Sequence, residues 1–381
     1  MAKVLPNVYG NHFIVRPPVP ATVNKAGANY KSEVTHAEYS PRRAFDEWVA
    51  ICEGITKFGG DAIFDFEEDD DAFLDHAALH VDAEGAIRAE GESTILGHLD
   101  DVQTGRVFCA NGPWVTVDKG SLSAVLPNML EHRKDELAYY EALLDAIATF
   151  GEYELDVGVN PHRWEGMADV AVVGEQVVLT HTVKGRYDAG LEDKTMRSSR
   201  EGVAYAADFV GVDEEACIFA ELVYPHFHGD TVHFGARPKA GGAKLAHYTG
   251  GLVEGEAERI AEALPDGAIV PIGRDDAVEF YAGNSRQVGG GVLVPDGVTD
   301  AFVASMEALG LPVHRVALFE LFGKAGGGPA CATLYLPKNL NLPKDTPLLF
   351  SNRGEEIAER RARIPERLTV DPAYFANKKR G

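Results

Sequence analysis

The chain has 381 residues, 45% of them hydrophobic, which is enough for one large domain or two ordinary ones with a full core. Its formal net charge of −23 argues against a nucleic-acid partner, which needs a basic face, and is compatible with a cationic substrate or simply with a well-solvated surface. No stretch is long and apolar enough to span a bilayer, and the Met1-Ala2-Lys3-Val4-Leu5 start lacks a secretory pattern. Cys52, Cys109, Cys217 and Cys331 are scattered without a CxxC pair, so neither a zinc ribbon nor a disulfide framework is indicated. A reducing cytoplasm is the expected location.

Residues 1–41 read as an N-terminal extension. Phe45, Trp48, Cys52 and Ile55 then recur at helical spacing until Gly59-Gly60, and Ala62–Phe66 continues as a strand. The acidic run from Glu67 opens an insertion of about 67–100 within this first unit. In a second unit, Leu137, Tyr140, Leu144 and Ile147 share one helix face, and a strand follows over Tyr153–Val157. A third helix is expected to start at Ser198, with Glu201 completing a capping box, and leads to a strand over Cys217–Val223. A fourth runs over Glu256–Leu264, turns at Pro265-Asp266-Gly267 and continues as Ala268–Ile272. The fifth carries Phe302, Met306 and Leu309, then Gly310, then a strand over Val313–Leu318. Five such units are an internal repeat, which implies a barrel-like or propeller-like array. The repeat marks 42–340 as one domain, and 341–381 as a C-terminal tail carrying no chemistry.

Each strand is followed by a polar or glycine-rich turn and a further apolar strand. These turns contain Asn111, Glu165 with Asp169, His228 with Asp230, Asn284 and Cys331. Cys331 follows Gly326-Gly327-Gly328, a backbone stripped for close approach by a ligand. If the units surround a pseudo-fivefold axis, equivalent turns converge on one pocket. A thiol, an imidazole and carboxylates then make a nucleophilic set.

The series Trp164-Glu165-Gly166-Met167-Ala168-Asp169, Arg197-Ser198-Ser199, His228-Gly229-Asp230-Thr231 and Gly326-Gly327-Gly328 through Cys331 resembles the guanidino-group-modifying enzymes. These include arginine deiminases, dimethylargininases, arginine and succinylarginine dihydrolases and amidinotransferases. The resemblance runs from about Gly105 to Leu336. It implies an α/β fold, the pentein propeller of five ββαβ units. By motif it makes Cys331 the nucleophile, His228 the general acid–base and Glu165 the acid beside it, with Asp230 on the substrate guanidinium. Asn111, Asp169, Asn284 and Arg197 are further candidates for substrate binding. Gly229 departs from the leucine or isoleucine usual at its position. Asn111 stands where deiminases and amidinotransferases carry aspartate, and in this it resembles the dihydrolase branch.

The reading implies a hydrolase acting on arginine or a similar guanidine through a thiouronium on Cys331, with no cofactor or metal. An amidinotransferase using the same thiol is the alternative. A metal-dependent hydrolase holding an ion through His226, His228, His233 and Asp230 is a further option, since His226 and His228 alternate on one strand face. A homo-oligomer stays open.

Overall fold

The computed structural model describes residues 11–23, 36–186 and 196–378. Five three-stranded sheets repeat one pattern, in which the middle strand pairs antiparallel on one side and parallel on the other. The first comprises Trp114–Asp118, Ser121–Leu126 and, after a helix over Leu137–Gly151, Glu154–Val159. The second comprises Val170–Val173, Gln176–His181 and Cys217–Glu221, with a helix over Arg200–Phe209 before the last strand. The third comprises His233–Ala236, Lys244–His247 and Ile269–Pro271, with its helix over Glu256–Ala263. The fourth comprises Arg286–Val288, Gly291–Pro295 and Val313–Val316, with its helix over Asp300–Ala308. A parallel return needs a crossover of this length, which explains why every unit carries a helix between its second and third strands.

The fifth sheet joins the two ends of the repeat. Leu334–Tyr335 pairs antiparallel with His12–Ile14, which pairs in parallel with Asp61–Ile63 after a helix over Pro41–Lys57. Its middle strand therefore comes from the stretch read as an N-terminal extension. That helix forms as its sequence dictates. Ser40 accepts from the Arg43 amide, Pro41 occupies the first turn, and Phe45, Trp48, Ile51, Cys52 and Ile55 are buried along one face.

A separate five-stranded sheet is built from the three stretches outside the repeat. Its order is Glu38–Tyr39, Arg367–Val370, Ala78–Val81, Ala86–Ala89 and Gly97–His98. It has its own apolar cluster, including Tyr39, Leu79, Val81, Ile87, Leu368, Val370 and Tyr374. The tail is thus an integral strand with flanking helices, an arrangement that its Lys- and Arg-rich composition does not suggest. No helix among the described residues is long and apolar enough to cross a membrane.

Candidate active site

The turn leading into the first strand of each repeated sheet carries the predicted residues. They lie at Cys109–Asn111, Glu165–Asp169, His228–Thr231, Ala282–Asn284 and Gly328–Cys331. Hydrogen bonds link these turns into a ring. Asn111 Nδ2 donates to the Glu165 carbonyl at 2.9 Å, and the Gly229 amide donates to Asp169 Oδ1 at 2.9 Å. Asn284 Nδ2 donates to the Asp230 carbonyl at 3.2 Å, the Ala330 amide to the Asn284 carbonyl at 3.0 Å, and the Ala110 amide to the Cys331 carbonyl at 2.9 Å. Two glycines permit this closeness. A Cβ on Gly166, whose φ is +77°, would lie 2.3 Å from the Asn111 carbonyl carbon. A Cβ on Gly229 would lie 2.3 Å from Thr180 Oγ1, which gives the departure from leucine at this position a steric cause.

His228 is buried between two carboxylates. Its Nδ1 donates to Asp169 Oδ2 at 3.0 Å, and its Nε2 lies 3.2 Å from Glu165 Oε2. Burial alone would lower the imidazole pKa. The two anions outweigh it and raise the pKa to about 9. Glu165 is fully buried, which favours its neutral form, yet Arg197 at 3.6 Å and His228 hold it well below the ordinary carboxylate range. Arg197 sits over the Phe227 ring at 5.7 Å.

Asp169, expected to contact substrate, stands behind the imidazole. Oδ1 accepts from Gly229 and Thr180, and Oδ2 from Ser198 at 2.6 Å and from His228. With both oxygens engaged, it fixes the His228 tautomer and orientation.

Cys331 is 7% exposed. Its Sγ approaches Asp230 Oδ2 at 3.3 Å and receives Asn284 Nδ2 at 2.9 Å. Burial and the Asp230 charge push the thiol pKa up, while Asn284 opposes them. Asn284, expected at the substrate, grips the thiol, and its Oδ1 accepts from the Cys331 amide at 3.0 Å. Burial raises Asp230 to about 6, and its Oδ1 is buried without a hydrogen-bond partner. Such an atom calls for a donor from outside the protein. A small cavity abuts Asp230 and is lined also by Met167, His233, Ser285, Arg286 and Tyr335.

No family model matches the chain, and no curated protein matches it in sequence. Solved structures match in fold. One is a substrate-bound variant of the N-terminal domain of ArgZ, an arginine dihydrolase from the ornithine–ammonia cycle in cyanobacteria. It aligns with a TM-score of 0.61 over 85% of this chain and 97% of that one, at 18% identity. An AgrE variant with L-arginine aligns with a TM-score of 0.62 over 88% of this chain at 19% identity. The alignment covers 41% of the longer AgrE chain. A dimethylarginine dimethylaminohydrolase aligns at 0.53 over 85% and 99% of the two chains, at 16% identity. The fold is that of the guanidino-group-modifying enzymes.

Within this pentein-type fold, two further residues reach the site that the sequence reading passed over. Arg133 donates through Nη1 to Asn111 Oδ1 at 2.6 Å, while Nε and Nη2 grip Glu136 at 2.8 and 2.7 Å. This fixes the Asn111 amide so that Nδ2 faces the Glu165 carbonyl and, at 3.1 Å, His228 Nε2. Both belong to the charged run Glu131–Glu136, which in sequence looks like a solvated face, yet Glu136 is only 1% exposed. Ser198 also differs from its expected role. The helix cap is Ser199, whose hydroxyl accepts from the Gly202 amide, and Ser198 is left to bond Asp169 and the Glu165 amide.

The metal option finds no support among the described residues, where no three His, Cys, Asp or Glu side chains are placed to hold an ion. His226 Nδ1 is bonded to Thr231 Oγ1 at 3.0 Å, and both His228 nitrogens face carboxylates.

Proposed function

We propose that this chain is a cysteine-dependent guanidine hydrolase of dihydrolase type, acting on arginine or an arginine-like compound, with its five repeated sheets closed as a propeller around the site. The observation that carries this reading is the ring of turns, which gathers a thiol, a doubly anion-held imidazole and an unpartnered buried carboxylate oxygen in one place. The ring also supports the closed arrangement of the sheets.

A guanidinium presents five N–H donors in a planar fork, which suits Asp230 and Glu165. Once a cation occupies Asp230, the charge that opposes thiolate formation at Cys331 is neutralised. The thiolate attacks the central carbon and forms the C–S bond. His228, protonated at neutral pH, gives a proton to the departing nitrogen as the C–N bond breaks and ammonia leaves. The neutral imidazole then takes a proton from water, which adds to the thiouronium carbon, and the C–S bond breaks.

The dihydrolase assignment rests on Asn111. Its orientation, fixed by Arg133, aims an N–H at His228 Nε2, which favours the neutral base form needed to activate water. An aspartate there would favour the imidazolium instead. Repeating the cycle on the ureido product releases the second ammonia and leaves a carbamate, which loses carbon dioxide as its N–C bond breaks, so that arginine and two waters become ornithine, carbon dioxide and two ammonia. The four cysteines carry no bridges, which suits a reducing compartment such as the cytoplasm.

The test is product analysis over arginine, agmatine, methylarginines and small guanidino acids. Two ammonia per ornithine support the proposal. Citrulline as the end product makes the enzyme a deiminase, and turnover dependent on an acceptor amine makes it an amidinotransferase.

A further inference from the structure

Asn284 is fully buried, and its amide orientation is fixed from both ends by the backbone. Oδ1 accepts from the Cys331 amide at 3.0 Å, so Nδ2 must lie on the opposite side. One Nδ2 hydrogen goes to the Asp230 carbonyl at 3.2 Å, which leaves the other aimed at Cys331 Sγ at 2.9 Å. A neutral thiol is a weak acceptor, whereas a thiolate is a strong one. Sγ is therefore flanked by two groups with opposite preferences. Asp230 Oδ2 accepts the S–H and holds the thiol form, while Asn284 donates and favours the anion. Gly328 allows this approach, since a Cβ there would lie 2.9 Å from Asn284 Oδ1.

We infer that Asn284 is the thiolate-stabilising residue of the site, a single-donor anion hole for Cys331 that dominates when a cation occupies Asp230. In the free protein the S–H points to Asp230. A guanidinium engaging that carboxylate removes the acceptor, and the sulfur proton passes to solvent water while the Asn284 N–H remains in place. The identity of the cation rests on the guanidine-hydrolase reading; the sulfur contact does not. The other charged groups near the sulfur are Arg286, which donates to the Ala330 and Thr333 carbonyls, and His228, which faces Asp230 electrostatically. Neither donates a hydrogen bond to Sγ among the described contacts, and both are unchanged by substitution at Asn284.

The experiment is the pH dependence of iodoacetamide alkylation, read at the Cys331 peptide by mass spectrometry so that Cys217 does not interfere. It is run on the full-length protein with and without guanidinium ion. A hydrogen bond to an anion of ordinary strength corresponds to a shift of about one to two pH units. Asn284→Ala should raise the midpoint by that amount, and Asn284→Asp, which keeps the shape and the bond from the Cys331 amide, should raise it further. Asp230→Asn should lower the midpoint, as should guanidinium added to the wild type. Asn284→Asp also guards against a folding failure in the alanine variant. Alkylation curves of both Asn284 variants that overlie wild type, in folded protein, would overturn the inference even if guanidines are hydrolysed. Shifted curves in a protein that turns over no guanidine would uphold it and refute the hydrolase reading instead.

Discussion

Asp169→Asn changes one atom and tests how the imidazole is controlled. The carboxylate accepts four hydrogen bonds, from Gly229, Thr180, Ser198 and His228. An amide keeps a single acceptor oxygen. The Gly229 amide is a fixed donor, so that oxygen stays on its side and the NH2 group turns to His228 Nδ1. The imidazole must then give up its Nδ1 proton and carry it on Nε2, where Asn111 Nδ2 already points a hydrogen at 3.1 Å. In the wild type the folded pKa of His228 is about 9, against about 6.5 unfolded. Two and a half units correspond to about 3 kcal/mol of stability, shared between Asp169 and Glu165. A folded pKa above the unfolded one means that this contribution is fully present below about pH 6.5 and is lost as pH rises through about 9. The variant should therefore lose about 2 kcal/mol in denaturant unfolding at pH 6, a loss that shrinks by pH 10. Its kcat should fall by about 10²–10⁴ with little change in KM, and the alkaline limb of kcat/KM should move down. Equal destabilisation at both pH values, with the alkaline limb still near 9, would refute this account of His228.

Wild-type kcat/KM should follow a bell with limbs near 6 and 9, because Asp230 must be ionised and His228 protonated; a profile flat from pH 5 to 10 would oppose both assignments. Asn111→Asp replaces an N–H with an oxygen facing the Glu165 carbonyl at 2.9 Å and places an anion by His228. Stability should fall by about 1–3 kcal/mol, the alkaline limb should rise, and citrulline should accumulate, all measurable by thermal unfolding, pH–rate analysis and product assay. His226, His233 and His247 are buried with depressed pKa values, the first and last down to about 4, because desolvation disfavours their cations. The unfolded chain then takes up to three protons that the folded chain refuses. Stability should fall by at most about 4 kcal/mol per pH unit from these groups as pH drops from about 6 toward 4. His247→Gln should reduce that slope by about one proton in denaturant titrations across this range.

The helices and the order of the site turns are readable because both rest on local signals. Apolar spacing at Phe45, Trp48, Cys52 and Ile55 and the stops at Gly59, Gly211 and Gly310 are short-range patterns, and the helices form where these predict. The pairing of His12–Ile14 with Leu334–Tyr335 is not local; two short strands more than three hundred positions apart carry no mutual mark. The same holds for the sheet that joins Glu38–Tyr39 to Arg367–Val370. In the site, residue types are legible but their partners are not. Ser198 reads as the cap because Glu201 follows three residues on, and only packing decides that Ser199 caps the helix while Ser198 serves Asp169. Arg133 and Glu136 look like surface charges because burial is not written in a short run of mixed charges. Asp169 and Asn284 read as substrate residues from their types alone, while their bonds to His228 and Cys331 become visible only in the fold.

The central claim is that Cys331 bonds to the carbon of a guanidine. Mixing the protein with a turned-over guanidine, quenching in acid within the first turnovers and measuring the Cys331 peptide by mass spectrometry tests it directly. The expected result is an amidino-type adduct on Cys331 that disappears as substrate is consumed, with no adduct and no ammonia from Cys331→Ala. Ammonia release by Cys331→Ala at the wild-type rate, with no adduct on the wild-type peptide, would contradict the claim.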